Sequence, residues 1–414
     1  MSCPCFFIPP HIFRGIADSE ANPQHVRQAA QEHYDAQLRM SSARREHMEN
    51  IAQARKSGAP ALHRVSPSVP ENVLARISTS CCVDEATRDR AKKDLGSRQA
   101  HRVADPVDKD TAVADEPVET AEKDSPYRAV YDAHMTQSQF GLPGELIRAE
   151  GEPKVGDQAV NDAYDNVGNV LEFYKEVFKW NSIDNKNADV ISSVHYGRHY
   201  QNAFWDGRRM QMVFGDGGEY LGHFTSLLDV IGHELTHAVT EHTSPLNYMD
   251  QPGALNESVS DVFGIMIKQK KENQKADESN WLIGEGTLMP GVHGVALRSM
   301  KAPGTAYDDK RLGKDPQVGN TSEYKPTFED NGGVHIYSGI PNKAFYLVAK
   351  AFGGYSWEKA GQIWWKTMNS GKVPSNSTFK QFADATVSVA KDEFGEEEAK
   401  TVRKAWNDVG VTRS

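Results

Sequence analysis

Two histidines and a glutamate stand close together in the stretch Asp229-Val230-Ile231-Gly232-His233-Glu234-Leu235-Thr236-His237, whose core reads H-E-x-x-H. A helix turns about 100° per residue, so side chains four apart leave nearly the same face, and His233 and His237 can point two imidazole nitrogens at one metal ion. Glu234 is rotated off that seam. It can approach a water that the metal activates without joining the metal's ligands, which suits a general base for hydrolysis. Two histidines and a carboxylate in an apolar helix need partners, and a dication is a good one.

A catalytic zinc ordinarily keeps three protein ligands and one open position, so a third ligand must come from elsewhere. The metzincin continuation would place glycine at 240 and histidine at 243, but the chain has Thr240 and Thr243, which excludes that class. Downstream runs Gly253-Ala254-Leu255-Asn256-Glu257-Ser258-Val259-Ser260-Asp261. Glu257 and Asp261 are four apart and share a helix face among Leu255, Val259, Val262 and Phe263. This predicts Glu257 as the third ligand and Asp261 as the acceptor that holds a ligating imidazole in the right tautomer.

The helix that must carry the histidines is legible. Ser226 and Asp229 read as a capping box, Leu227, Leu228, Val230, Ile231, Leu235, Ala238 and Val239 supply an apolar body, and Thr243, Ser244 and Pro245 end it. Upstream, Val160 to Trp180 has helical spacing, and Ala188 to His199 and Ala203 to Phe214 read as strands, the second with a hairpin turn at Asp206-Gly207. After Pro252 the chain is mainly helical: Leu255 to Lys271, Pro341 to Phe352, Trp357 to Met368, Thr378 to Phe394 and Glu396 to Val409, with Gly353-Gly354, Gly371 and Gly395 as stops. The fold class is therefore α+β with two lobes, a β-rich N-terminal one and a mainly helical C-terminal one, and a cleft above the H-E-x-x-H helix.

Four segments follow. Residues 1–57 hold a short arm, with Phe6, Phe7, Ile8, Pro9, Pro10, Ile12 and Phe13 clustered at its start, and a polar helix or two from Pro23 to Ser57. An apolar cluster on a polar arm requires a groove. Residues 58–125, rich in Pro, Ser, Asp and Lys, read as disordered linker and as the place for self-cleavage. Residues 126–245 form the lobe ending in the metal helix, and 246–414 the helical lobe. A formal charge of -10 over 414 residues disfavours a nucleic-acid partner, and no apolar run reaches membrane-spanning length. Pro9 and Pro10 break the only N-terminal apolar run and no basic residue precedes Arg14, so no secretory signal is read; the expectation is a cytoplasmic protein or one exported by another route. All cysteines (Cys3, Cys5, Cys81 and Cys82) fall in the first 82 residues, so the rest depends on no disulfide.

HELTH followed by GALNESVSD resembles the thermolysin-like zinc metalloproteases, the gluzincins. Asn202-Ala203-Phe204-Trp205, Leu297-Arg298-Ser299-Met300 and Asp330-Asn331-Gly332-Gly333-Val334-His335 match the same family, over about residues 126 to 414. The resemblance implies one catalytic zinc on His233, His237 and Glu257, with Glu234 as general base. It implies that Tyr248 and His335 stabilise the oxyanion, that Asp330 orients His335, and that Asn202, Ala203 and Arg298 hold the backbone of a protein or peptide substrate. Leu221, Phe224, Val230 and Leu297 correspond to the primary side-chain pocket, implying cleavage before bulky hydrophobic residues. No G-x-M-E-N type motif, which an aminopeptidase would use to hold a free amine, is present.

The family's calcium sites are altered: Lys268 replaces a helix carboxylate, Asn280 and Leu282 stand at two ligand positions beside Asp229 and Glu285, and Leu288, Met289 and Val295 occupy a second loop. Calcium is expected to be absent or reduced, an ammonium standing in for a cation. The arm, C-x-C-F-F-I-P-P-H-I, resembles that of the protealysin-like subgroup, whose short propeptides inhibit the enzyme. We expect Phe6 to Phe13 to dock in the cleft of an autoprocessed zymogen, with Cys3 or Cys5 a candidate to reach the zinc as a thiolate.

Overall fold

Short β-branched and aromatic runs build one six-stranded sheet in the first lobe. Its strands are β1 (Pro4–Phe6), β2 (Arg128–Asp132), β3 (Glu145–Ala149), β4 (Val190–Val194), β5 (Ala203–Asp206) and β6 (Gln211–Phe214), in the order β1-β5-β6-β4-β2-β3. β4 runs parallel to β2 and β6, and the other pairs are antiparallel. The computed structural model describes residues 4–57, 68–104 and 124–413.

Helices in chain order are α1 (Pro10–Asp18), α2 (Gln24–Ser57), α3 (Glu71–Thr79), α4 (Glu85–Ala104), α5 (Gln158–Phe178), α6 (Leu228–His242) and α7 (Asp250–Lys271). The second lobe adds α8 (Asp330–Tyr337), α9 (Gly339–Phe352), α10 (Lys359–Asn369), α11 (Phe379–Phe394) and α12 (Glu396–Asp408). The two-lobed α+β architecture is the one expected. The core runs through both lobes, joining Val190, Trp205 and Phe214 of the sheet to Val230, Ile231 and Leu235 of α6 and to Val259, Val262 and Phe263 of α7.

The crossing of α6 and α7 positions the site, and glycines permit it. A Cβ at Gly264 would lie 2.7 Å from the Asp229 carbonyl oxygen, and one at Gly232 would lie 3.1 Å from the Gly264 Cα. Only bare backbone allows the two helices so close, and that closeness lets a side chain from one reach an imidazole on the other.

Three local expectations need correction. The Ser226–Asp229 capping box does not form: α6 starts at Leu228 behind Leu227 with no side-chain cap, Ser226 Oγ donates to the His223 carbonyl, and Asp229 accepts from Gly284 N at 2.8 Å. Tertiary contact outcompetes the local cap. The Asp206-Gly207 turn is a longer loop, because Asp206 pairs with Gln211 across β5 and β6 while its carboxylate accepts from Arg208 N and Arg209 N. The stretch 58–125 is not linker throughout. Within it α3 buries Val73, Leu74 and Ile77 against Tyr127 and Ala149, and α4 packs on α3. Self-cleavage sites between residues 105 and 123 lie outside the described residues.

His195 ties α5 to the sheet's rim. Its Nε2 is 2.7 Å from Asp157 Oδ2 and its Nδ1 is 2.7 Å from Asp216 Oδ1, while Asp157 also caps α5 by accepting from Ala159 N. The Asp216 hydrogen bond, opposed by partial burial and helped by Asp157, raises the imidazole from its ordinary 6.5 to about 9. The imidazolium therefore stabilises the fold fully below pH 6.5 and ceases to do so as pH rises through about 9. We predict that His195→Gln lowers Tm at pH 6 by an amount equivalent to roughly 1 kcal/mol, allowing for solvent screening, with the difference closing near pH 10. Thermal melts across that range check it; a difference independent of pH would contradict it.

Candidate active site

α6 and α7 bring His233, His237 and Glu257 into one buried cluster. His233 Nε2 is 3.1 Å from His237 Nε2 and 3.3 Å from Glu257 Oε2, and His237 Nε2 is 3.5 Å from Glu257 Oε1. A tetrahedral zinc with bonds near 2.0–2.1 Å separates its nitrogen and oxygen donors by roughly 3.3 Å. The three side chains, none more than 1% exposed, have the donor chemistry and the spacing for such an ion. Glu234 is buried beside them. Its Oε2 accepts from Trp205 N at 2.9 Å, while Oε1 has no hydrogen-bond partner and is free to receive a proton.

Each imidazole is aimed by its other nitrogen. Asp261 Oδ1 lies 2.8 Å from His233 Nδ1, and Asn256 Oδ1 lies 2.8 Å from His237 Nδ1. Asp261 is held in turn by Arg298, whose Nε and Nη2 donate at 2.9 and 2.8 Å, and by Asn342 Nδ2 at 2.8 Å. Sequence reasoning identified Asp261 but not Asn256 or Asn342. Asn256 could have been found from its place one residue before Glu257; Asn342, 81 positions from Asp261, carries no local signal.

The electrostatics divide the two histidines. Burial lowers His237 to about 3, keeping it neutral, the form in which an imidazole could bind a metal. Burial also opposes charge on His233, but Asp261 and Glu257 outweigh it and raise it to about 9. Burial lifts the Glu234 carboxyl to about 8, opposed by His233 and helped by Glu257. A divalent cation on the neighbouring donors would favour its ionised form.

On the other wall, His335 Nδ1 is 2.6 Å from Asp330 Oδ1, and its backbone N donates to Asp330 Oδ2 at 2.8 Å. The chain folds back on itself here because Gly332 and Gly333 adopt φ of 85° and 79°, and a Cβ at Gly332 would meet Asp250 Oδ1 at 2.1 Å. His335 Nε2 reaches to 3.5 Å from Glu257 Oε2. Tyr248, fully buried, donates to Glu257 Oε1.

The arm fills the groove above these groups. β1 pairs antiparallel with β5, Cys5 opposite Trp205 and Phe6 opposite Phe204. Phe7 N donates to the Ala203 carbonyl at 3.1 Å, Ile8 N to Asn202 Oδ1 at 2.9 Å, Asn202 Nδ2 to the Ile8 carbonyl at 3.2 Å and Arg298 Nη1 to the Phe7 carbonyl at 3.2 Å. His335 Nε2 lies 3.2 Å from the Phe6 carbonyl oxygen. The Phe7 ring stands under the Arg298 guanidinium, 4.8 Å away, and edge-on to His233, 5.3 Å away. Phe7 lies beside Leu297, since a Cβ at Gly284 would meet both, and Leu221, Phe224 and Val230 are buried in the same main core. The sulfur of Cys5 enters the donor cluster itself, 3.0 Å from His237 Nε2; Cys3 lies outside the described residues.

The rest of the arm is fastened by α2, a single 34-residue helix. Arg44 forms a fully buried ion pair with Glu241 in the last turn of α6, and Gln37 Nε2 donates to the Ile8 carbonyl at 2.9 Å. Neither contact was foreseen, since Arg44 and Glu241 are 197 residues apart. Farther off, Lys268 Nζ lies 2.9 Å from Glu285 Oε2, which also accepts from Asn280 Nδ2, and Asp229 is engaged by backbone groups.

The chain matches two family models, the thermolysin metallopeptidase catalytic domain over residues 109–241 and the thermolysin metallopeptidase alpha-helical domain over 244–411. It is 45% identical to "Protease PrtS" of Photorhabdus sp., over 84% of this chain and 91% of that one. It is 50% identical to an extracellular metalloprotease of Pectobacterium carotovorum, over 69% and 81% respectively. Among solved structures it resembles the precursor of protealysin, a metalloproteinase from Serratia proteamaculans, at 46% identity and a TM-score of 0.67, covering 83% of this chain and 99% of that one.

Proposed function

The chain belongs to the thermolysin family of metallopeptidases and is a zinc-dependent metalloendopeptidase; from that premise we propose that it cuts before bulky hydrophobic residues and is made as a zymogen held by its own arm. The observation that carries this reading is the course of Phe6-Phe7-Ile8 along β5. The arm is gripped by Asn202, Ala203, Arg298 and His335, the groups expected to hold a substrate, and it lays Phe7 beside Leu297 of the expected pocket. Strand addition of this kind fixes the backbone by main-chain hydrogen bonds and leaves side-chain pockets to set preference. A substrate bound this way would place a large apolar side chain where Phe7 stands, and its scissile bond just before it.

A zinc ion on His233, His237 and Glu257 would supply Lewis acidity and a water of lowered pKa. Glu234 takes a proton from the attacking water through its free Oε1 and delivers it to the leaving amine. Tyr248 and His335 donate to the carbonyl oxygen as negative charge develops there, with Asp330 fixing the His335 ring. Asn202, Arg298 and the edge of β5 keep the peptide extended and in line. Calcium has no part in this reading, because the Lys268 ammonium pairs with Glu285 where a cation would otherwise be needed.

The test is cleavage of an end-blocked peptide with one internal Gly-Leu bond by the processed protein. Products should begin with Leu. A zinc-selective chelator should abolish the reaction, whereas a calcium-selective one should leave both rate and Tm unchanged. A Gly-Asp peptide cleaved as fast as Gly-Leu would defeat the assigned preference, and a Tm that falls with calcium removal would defeat the calcium claim.

A further inference from the structure

Cys5 stands where none of the roles above needs a cysteine. Its sulfur is fully buried, 3.0 Å from His237 Nε2, 3.4 Å from Glu257 Oε1 and 3.1 Å from the Tyr248 hydroxyl. Among the described residues, Cys5, His237 and Glu257 form a group whose donor atoms all lie within 4.8 Å of one another. His233 is not in that group, but its Nε2 stands 3.1 Å from His237 Nε2 and 3.3 Å from Glu257 Oε2. Two imidazoles, a carboxylate and a sulfur make a four-donor set, the number that fills a zinc ion, whereas a catalytic zinc leaves one position open. Beside it stands Glu234, whose Oε1 atom has no protein hydrogen-bond partner.

The arm's register makes this matter. Side chains alternate along a strand, so Cys5 and Phe7 share the face toward α6 while Phe6 turns away to pack on Phe204. The Phe6 carbonyl faces His335, the Phe7 amide is on Ala203 and the Phe7 ring lies beside Leu297, so the Phe6–Phe7 bond is laid out as a substrate's would be. A strand bound in that way invites hydrolysis of itself.

We propose that Cys5 is the fourth protein ligand of the zinc ion in the uncleaved chain, its thiolate holding the position that the attacking water requires. The proton of the thiol passes to solvent when sulfur binds, and no oxidant or reductant takes part. The inference rests on the reading that the arm keeps the enzyme latent and says how: the arm is fastened at the metal, and losing that one bond turns the strand from inhibitor toward substrate.

The experiment uses full-length protein carrying Glu234→Ala, so that the arm stays attached, loaded with cobalt in place of zinc. The cysteine-containing protein should show an intense near-ultraviolet thiolate-to-cobalt absorption that vanishes in Cys5→Ser, and zinc X-ray absorption should show one sulfur neighbour only in the former. In the otherwise active chain, Cys5→Ser should raise the initial rate before any arm is lost by at least tenfold, with metal content and melting behaviour verifying that it folds. Identical spectra with and without Cys5 would overturn the proposal, as would a spectrum lacking sulfur. Deleting residues 1–20 separates the two readings. If deletion activates the chain but no sulfur signature exists, the strand alone blocks the groove and the latency reading stands without the ligand. If deletion leaves the initial rate unchanged, latency fails, while the spectra still decide whether sulfur binds.

Discussion

Glu234→Ala is expected to lower turnover by roughly three orders of magnitude while leaving the fold and the metal in place. General acid–base groups contribute about 10²- to 10⁴-fold, and Glu234 would serve both as base for the water and as acid for the amine, so the loss belongs in the upper part of that range. It contacts neither imidazole by hydrogen bond; its hydrogen-bond partner is Trp205 N of β5. Removing it therefore spares the three proposed zinc donors, and because burial already lifts its carboxyl to about 8, alanine relieves an unfavourable group as well as deleting a useful one. The measurements are kcat on the blocked peptide, zinc content and Tm. Retention of more than a tenth of the activity, or loss of zinc, would show that this carboxylate is not the base.

Arg44→Ala should act in the opposite direction, raising the initial activity of the uncleaved chain. The guanidinium and the Glu241 carboxylate are both without exposed surface, one on the arm's long helix and the other at the end of the helix that bears the histidines. Removing one partner of a buried pair costs about 2–5 kcal/mol; Glu241 keeps other partners, His47 Nε2 of the same α2 helix at 3.7 Å among them, but loses its guanidinium. Here the remaining charge has an escape: lifting α2 away returns Glu241 to water. The penalty therefore falls on docking of the arm rather than on the catalytic lobes, and at about 1.4 kcal/mol per decade it weakens docking by tens- to thousands-fold. Progress curves started from the uncleaved protein should lose their lag. Replacing both partners by apolar side chains of similar length, Arg44→Met together with Glu241→Leu, should restore the lag. A lag unchanged in Arg44→Ala would mean that β1 alone keeps the arm seated.

Much of the site could be read before any coordinates because its parts are local. His233 and His237 are related by one helical turn, as are Glu257 and Asp261, and helical spacing alone predicts that each pair shares a face. Bringing the two helices together depends on Gly232 and Gly264, whose meaning appears only when the neighbouring backbone is known. The same holds for Arg44 and Glu241, and for Asn342, which are ordinary polar residues until the fold makes them adjacent. Composition misled in residues 58–125, where a polar average concealed a few apolar residues gathered on one face of α3. Asp229 misled for a related reason: a residue well suited to capping its own helix was used to hold Gly284 instead.

The ammonium of Lys268 beside Glu285 has a consequence for where such an enzyme can work. A dissociable ion contributes to stability through its free concentration, so a protein built on one loosens as that ion is diluted or sequestered. A cation joined covalently to α7 has no such dependence. Its local concentration is set by the short tether of its own side chain, and on the calcium-free reading proposed above the lobe it braces would be as firm in a calcium-poor fluid as in a calcium-rich one.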